Sequence, residues 1–163
     1  MYLRLTVVLA AALALAACQS GRRTNIDTAP KQAVLTVPAG AQSIKVAANT
    51  ETVRQTIVAN AIERGTAIAQ NQPNMVVLER TVTGSNPALD SEFGPSDNGP
   101  RKFRIRVRFQ GAGCDTFVVQ DVAVVNNAGT ALEQVFTLTQ PQYNPRDSLV
   151  GLKTKAEGSA SCI

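Results

Sequence analysis

Arg101-Lys102-Phe103-Arg104-Ile105-Arg106-Val107-Arg108-Phe109-Gln110 alternates cationic and apolar side chains almost without a break. A period of two puts Phe103, Ile105, Val107 and Phe109 on one side of an extended chain and Lys102, Arg104, Arg106 and Arg108 on the other. A helix would scatter both sets around its circumference. The segment is therefore read as a β-strand with one buried and one wet face, as in an antiparallel sheet covered on one side.

Working outward, Gln110-Gly111-Ala112-Gly113 reads as a hairpin connection into residues 114–125. There Phe117, Val118, Val119, Val122, Val124 and Val125 form a nearly continuous apolar run, which suits a more buried strand. Asn126-Asn127-Ala128-Gly129 turns the chain again, and residues 131–139 form a last strand. Upstream, residues 75–82 make a firm strand, preceded by a turn over 70–74 with Pro73 and a short strand over 66–69. Residues 33–37 and 43–47 are two further short strands separated by Pro38-Ala39-Gly40.

Two helices complete the pattern. Over residues 50–64, Val53, Ile57, Val58, Ala61 and Ile62 recur on one face, opposite Arg54, Gln55, Asn60 and Glu63. Thr50 is placed as N-cap, Glu51 suits the positive end, Arg64 the last turn, and Gly65 supplies the stop. At the other end, Asn144-Pro145-Arg146-Asp147 combines a cap, an N1 proline and a first-turn acid. It starts a helix over about 145–156 with Leu149, Leu152 and Ala156 on one side. The expected fold is α+β: an antiparallel meander of about four to six strands packed by one amphipathic helix and a short C-terminal one.

The apolar run from Leu5 to Leu15 ends in Leu15-Ala16-Ala17-Cys18, which resembles the lipobox of bacterial membrane lipoproteins. Arg4 before the run and small residues after it complete the form of an export signal. The run is also too short to span a bilayer core, which takes about 20 residues. The resemblance implies removal of residues 1–17, acylation of Cys18 by palmitate-type chains, and a permanent membrane anchor. Gln19 stands where an aspartate would mark inner-membrane retention. The implied location is thus the periplasmic side of the outer membrane, the inner membrane being the alternative. Residues 18–32, polar and broken by Pro30, form the lipidated N-terminus and a flexible tether. Arg22 and Arg23 sit near the lipid surface. Residues 33–163 are left as one globular domain, similar over roughly 50–139 to small α+β domains of bacterial lipoproteins, a likeness that transfers no residue role.

Of the 16 basic residues, Arg4 lies in the removed segment, leaving 15 against 12 acidic ones, a formal +3. That excess is far below the footprint of a nucleic-acid binder, so no such partner is expected. Histidine is absent, which removes the residue most used as a general base and metal ligand. No Ser-x-x-Lys, Gly-x-Ser-x-Gly, glycine-rich phosphate loop or metal-ligand cluster occurs. Neither catalytic residue, metal nor cofactor is expected, and the chain is read as non-enzymatic.

With Cys18 spent on lipid, Cys114 and Cys162 remain as a disulfide candidate in an oxidising compartment. The rival readings are free thiols and a redox pair, and no Cys-x-x-Cys spacing supports the latter. The row Lys102, Arg104, Arg106 and Arg108 is the sharpest ligand-binding candidate. Alternate residues of a strand recur about 6.6 Å apart, a ladder suited to phospholipid, lipopolysaccharide or acidic glycan. Its plainer reading is the solvent side of a strand, paired with Glu79 or Asp121 on neighbouring strands. The long stretch 83–100 carries Asp90, Glu92 and Asp97 without calcium-loop spacing, and is either functional or disordered. Phe93 within it is the candidate anchor for an envelope protein partner. The functional expectation is a lipid-anchored interaction or structural accessory of an envelope complex. The alternative is a binding module for an anionic envelope ligand.

Overall fold

A computed structural model of the chain describes residues 34–140, 146–160 and 162. The alternating segment is β4, Lys102–Ala112, and the apolar run after it is β5, Asp115–Asn126. Around them lie β1 (Gln42–Val46), β2 (Ala67–Gln72), β3 (Met75–Thr81) and β6 (Gln134–Thr137). The helices are α1 (Thr50–Glu63), α2 (Pro87–Phe93) and α3 (Asp147–Ser159). The six strands form one antiparallel sheet in the order β1-β5-β4-β3-β2, with β6 also on β5. The α+β architecture expected from the sequence is the one observed.

β2 to β5 follow one another as a meander, while β1 crosses over to the far side of β5. There it shares an edge with β6: β1 pairs residues 116–120, and β6 pairs residues 123–126. This explains why the strand expected over 33–37 does not form in its described part, residues 34–37. β5 has no free edge left for it, and the turn at Gly40 backs directly onto Thr139. Instead, the Leu35 amide donates to Gln110 Oε1 at 2.8 Å.

The β4–β5 connection is tighter than the sequence suggests. Ala112 pairs with Asp115, leaving only Gly113 and Cys114 as a two-residue turn. Gly113 takes φ 57°, which a residue with a Cβ resists, as two-residue hairpins require at that position. Cys114 is bonded to Cys162, so the hairpin turn is stapled to the chain just beyond α3.

α1 begins one residue earlier than expected for its cap. Asn49, not Thr50, caps it, its Oδ1 accepting from the Thr52 amide at 2.8 Å. The helix ends as read: Gly65 at φ 62° lets its own amide reach Ile62 O and the Thr66 amide reach Ala61 O. α3 buries Leu149, Leu152 and Ala156 and runs on to Ser159. Its expected cap Asn144 and Pro145 lie outside the described residues.

The stretch 83–100 is not a featureless loop. Asn86 accepts from the Leu89 amide, Pro87 sits in the first turn, and α2 follows. This is the same cap-and-proline sign that announces α3, here in a segment read as loop because its composition is dominated by turn residues.

Both α1 and α3 lie on the face of Phe109, Val107, Val76 and Val118, making a core with Val46, Val53, Ile57, Leu149, Leu152 and Ala156. A second, smaller core sits further along the same face: Val122, Val124 and Leu138, with Phe93, Phe103 and Phe136 against them. Ile105 touches both. On the opposite face, the arginine row is only partly wet, since Val77, Val119, Ala123 and Val125 lie among the cations and are buried. β5 is central and buried on both sides, which its unbroken apolar run reflects.

Candidate functional site

Register decides what the cationic row meets. Arg104 lies opposite Glu79 on β3, and Arg106 opposite Asp121 on β5. Glu79 accepts from Lys102 Nζ at 2.8 Å and Arg104 Nε at 2.7 Å. Arg104 also reaches Glu133 at 3.0 Å. Asp121, buried, receives Arg106 at 3.1 Å and Arg108 at 3.4 Å. The four cations are thus cross-linked by three carboxylates.

These contacts set the ionisation of the acids. Burial acts to raise Glu79, but hydrogen bonds from Lys102 and Arg104 outweigh it and hold its carboxyl below the usual range. The Gly129 amide, then Arg104, lowers Glu133. Among the described residues, Arg108 Nε is buried without an acceptor. The row is a half-buried charge network more than a bare ladder. Such networks hold register between strands, because a slip of one residue would turn the cations to the face of the apolar core.

A second polar cluster, missed in the sequence, organises the 83–100 segment. Arg101, the first residue of the alternating stretch, is buried on the inner face. Its Nε donates to Asn126 Oδ1 at 2.6 Å, its Nη1 to Asp90 at 2.7 Å, and its Nη2 to Gly94 O. Asn126 in turn donates to Phe93 O at 2.8 Å. One guanidinium therefore ties the C-terminal end of α2 to the end of β5. Asp90, one of the three acids noted in this stretch, is spent on Arg101. Phe93, the expected partner anchor, faces inward against Phe136 with ring centroids 5.6 Å apart. The sign that could have found this is Arg101 itself, since it falls on the apolar parity of the strand.

Between the two cores, the sheet face lies open. A cleft of about 370 Å³ runs between α1, α3 and the sheet. Leu78, Phe103, Ile105 and Val122 line its apolar floor, with Ala61 and Leu152 from the helices beside them. Its charged lining is unequal: Arg64, Arg80 and Lys155 against Asp147. Arg80 stands where the inward row Val76, Leu78 would continue, opposite Phe103. Lys155 is held at 2.7 Å from Asn60 Oδ1 and 2.9 Å from Glu63. Among the described residues neither Arg64 nor Arg80 makes an ion pair, although Arg64 lies near enough to Glu63 to help lower its carboxyl. The size is that of small-molecule sites, about 300–1,000 Å³, and an apolar body with few polar groups is their usual make-up.

Cys114 and Cys162, anticipated as a pair, are joined; Cys18 lies outside the described residues. Among the described residues, no three His, Cys, Asp or Glu side chains gather as metal ligands do. No described helix is long and apolar enough to cross a membrane. Compared with protein-family models and with curated proteins, the chain matches none.

Proposed function

We propose that the chain is a lipid-anchored envelope lipoprotein, held by acylated Cys18 on the periplasmic side of the outer membrane, and a non-enzymatic interaction accessory there. The observation that carries this reading is the Cys114–Cys162 bond. Disulfides persist in oxidising compartments. Of three cysteines, the bond uses two and leaves the one at Leu15-Ala16-Ala17-Cys18 for acylation. Two or more acyl chains give stable anchoring where one is marginal. The domain, whose sequence has no histidine, then has to reach and hold a partner.

The test is metabolic labelling of a bacterium expressing the full chain with radioactive palmitate, followed by separation of inner and outer membranes. Label should appear on the wild-type chain in the outer-membrane fraction and vanish in Cys18→Ser. A wild-type chain that carries no label and is recovered free of membrane would overturn the reading.

A further inference from the structure

We infer that the cleft between α1, α3 and the sheet binds a single-chain amphiphile with an anionic head, its acyl chain over the Ile105 floor and its head at Arg64 and Arg80. This inference does not depend on the anchor, which serves attachment only.

Three observations converge. The first is incomplete coverage: Leu78, Phe103 and Ile105 face the helix side of the sheet yet remain only partly buried, although the same rows are fully buried at Val76, Val107 and Phe109. The apolar strip thus continues out of the core into a concave space of about 370 Å³. Water over the floor of Leu78, Phe103, Ile105 and Val122 has few polar partners, so displacing it there with methylenes is favourable, about 0.8 kcal/mol for each one buried.

The second is charge. Three cations and one carboxylate line the cleft, and Lys155 has Glu63. Arg64 and Arg80, both exposed and in no ion pair among the described residues, have donors for a carboxylate or phosphate. Arg80 follows Leu78 on the same face of β3, so the apolar strip ends at a guanidinium. An acyl chain with one anionic end has that order of groups. A protein partner covers about 800 Å² of surface, whereas a cleft of this volume falls in the range of small-molecule sites.

The third is Gly151 of α3. It lines the cleft, and a Cβ built on it meets nothing within 4 Å. Mid-helix glycine is disfavoured relative to alanine. Its lack of a side chain here keeps open space in the cleft wall.

The experiment uses the full chain carrying Cys18→Ser, so that its own lipid cannot compete. The probe is 11-(dansylamino)undecanoic acid, titrated at fixed protein concentration and read by the blue shift of dansyl emission. Saturable binding is expected, displaced by palmitate and by lysophosphatidic acid but not by glycerol monolaurate, which lacks the charge. Gly151→Leu, which fills the wall, should weaken the probe at least tenfold while leaving the circular dichroism and thermal midpoint intact. Arg64→Gln combined with Arg80→Gln, both surface changes, should weaken it about tenfold in 50 mM salt, a loss that shrinks at higher salt. Absence of saturable binding overturns the inference. So does displacement by glycerol monolaurate as effective as by palmitate, affinity unchanged in both variants, or displacement only by an apolar peptide. Should Gly151→Leu fail to fold, the double arginine variant decides alone.

Discussion

Reducing or deleting the Cys114–Cys162 bond should lower the stability of the domain by about 4 kcal/mol. The bond closes a loop across a sequence separation of 48 residues, from the β4–β5 turn to the chain beyond α3. In the chain-entropy relation, the logarithm of that length sets the denatured-state freedom removed, and at 25 °C it comes to about 4 kcal/mol. For a domain of this size, total stability is about 5–15 kcal/mol, so the loss is a large share of it. The folded state should nevertheless persist without the bond. α3 is held independently by Leu149, Leu152 and Ala156 in the core, by Lys153 Nζ on Lys45 O at 2.9 Å, and by Glu157 on the Ala47 amide at 2.7 Å. The assay is urea unfolding of the wild type against Cys114→Ala with Cys162→Ala, followed by circular dichroism. With a slope of about 2 kcal/mol per molar, the midpoint should fall by about 2 M, and the native spectrum should be unchanged. The slope should rise slightly, because an uncrosslinked denatured chain exposes more surface. A stability loss below about 1 kcal/mol would falsify the loop-entropy account and place the value of the bond elsewhere.

Two further outcomes concern the charged clusters. Stability should be flat between about pH 5 and 8, where no side chain of this histidine-free sequence has its ordinary transition. It should then fall in acid: Glu79, Glu133 and Glu157 are held below their usual range in the folded state, so their contribution is present above the unfolded carboxylate pKa and lost as pH drops through the folded values. Urea midpoints measured from pH 8 to 2.5 check this, and a steady decline already between pH 7 and 5 would contradict it. Arg101→Met should cost about 1–3 kcal/mol, chiefly by leaving the buried Asn126 Oδ1 without its donor, since Asp90 is exposed and can turn to water. Hydrogen exchange should then speed up first over residues 86–100, whereas an unaltered 86–100 segment would show that Arg101 does not pin it.

The parts of the fold that were legible in the sequence are those in which one local period decides the structure. β4 is the clearest: residues 102–110 alternate, and side-chain direction follows from geometry alone. The pairing of its cations with Glu79 and Asp121 was also within reach, since adjacent meander strands bring opposite parities together in a calculable way. α1 could be read because its apolar face and Gly65 agree. What was not legible depends on distant chain. The sequence does not reveal that β1 would take the far edge of β5 and, together with β6, leave no edge for residues 34–37. α2 carried a readable cap and proline at Asn86-Pro87, but turn-rich composition around it masked them. The cleft could not be seen at all, because it arises from where two helices stop covering a sheet. Its only local trace is Arg80, a cation in an inward row. Arg101 has the same character: a charge on the apolar parity that becomes sensible only when Asp90 and Asn126 arrive around it.

The crossover of β1 also bears on how the chain comes into being. β1 leaves the ribosome, or emerges on the far side of a membrane, before β2, β3 and β4, and among the described residues its strand partner is β5. Until β5 appears, Gln42–Val46 lacks the strand it pairs with, and the core that Val46 enters lacks Val118 and the three α3 residues. An unpaired strand of this kind is open to wrong pairing with other chains. Its first defence is its brevity, five residues with a lysine among them. The order of synthesis and the order of strand pairing are therefore opposed for β1, which gains its ladder only once residues 116–120 are made.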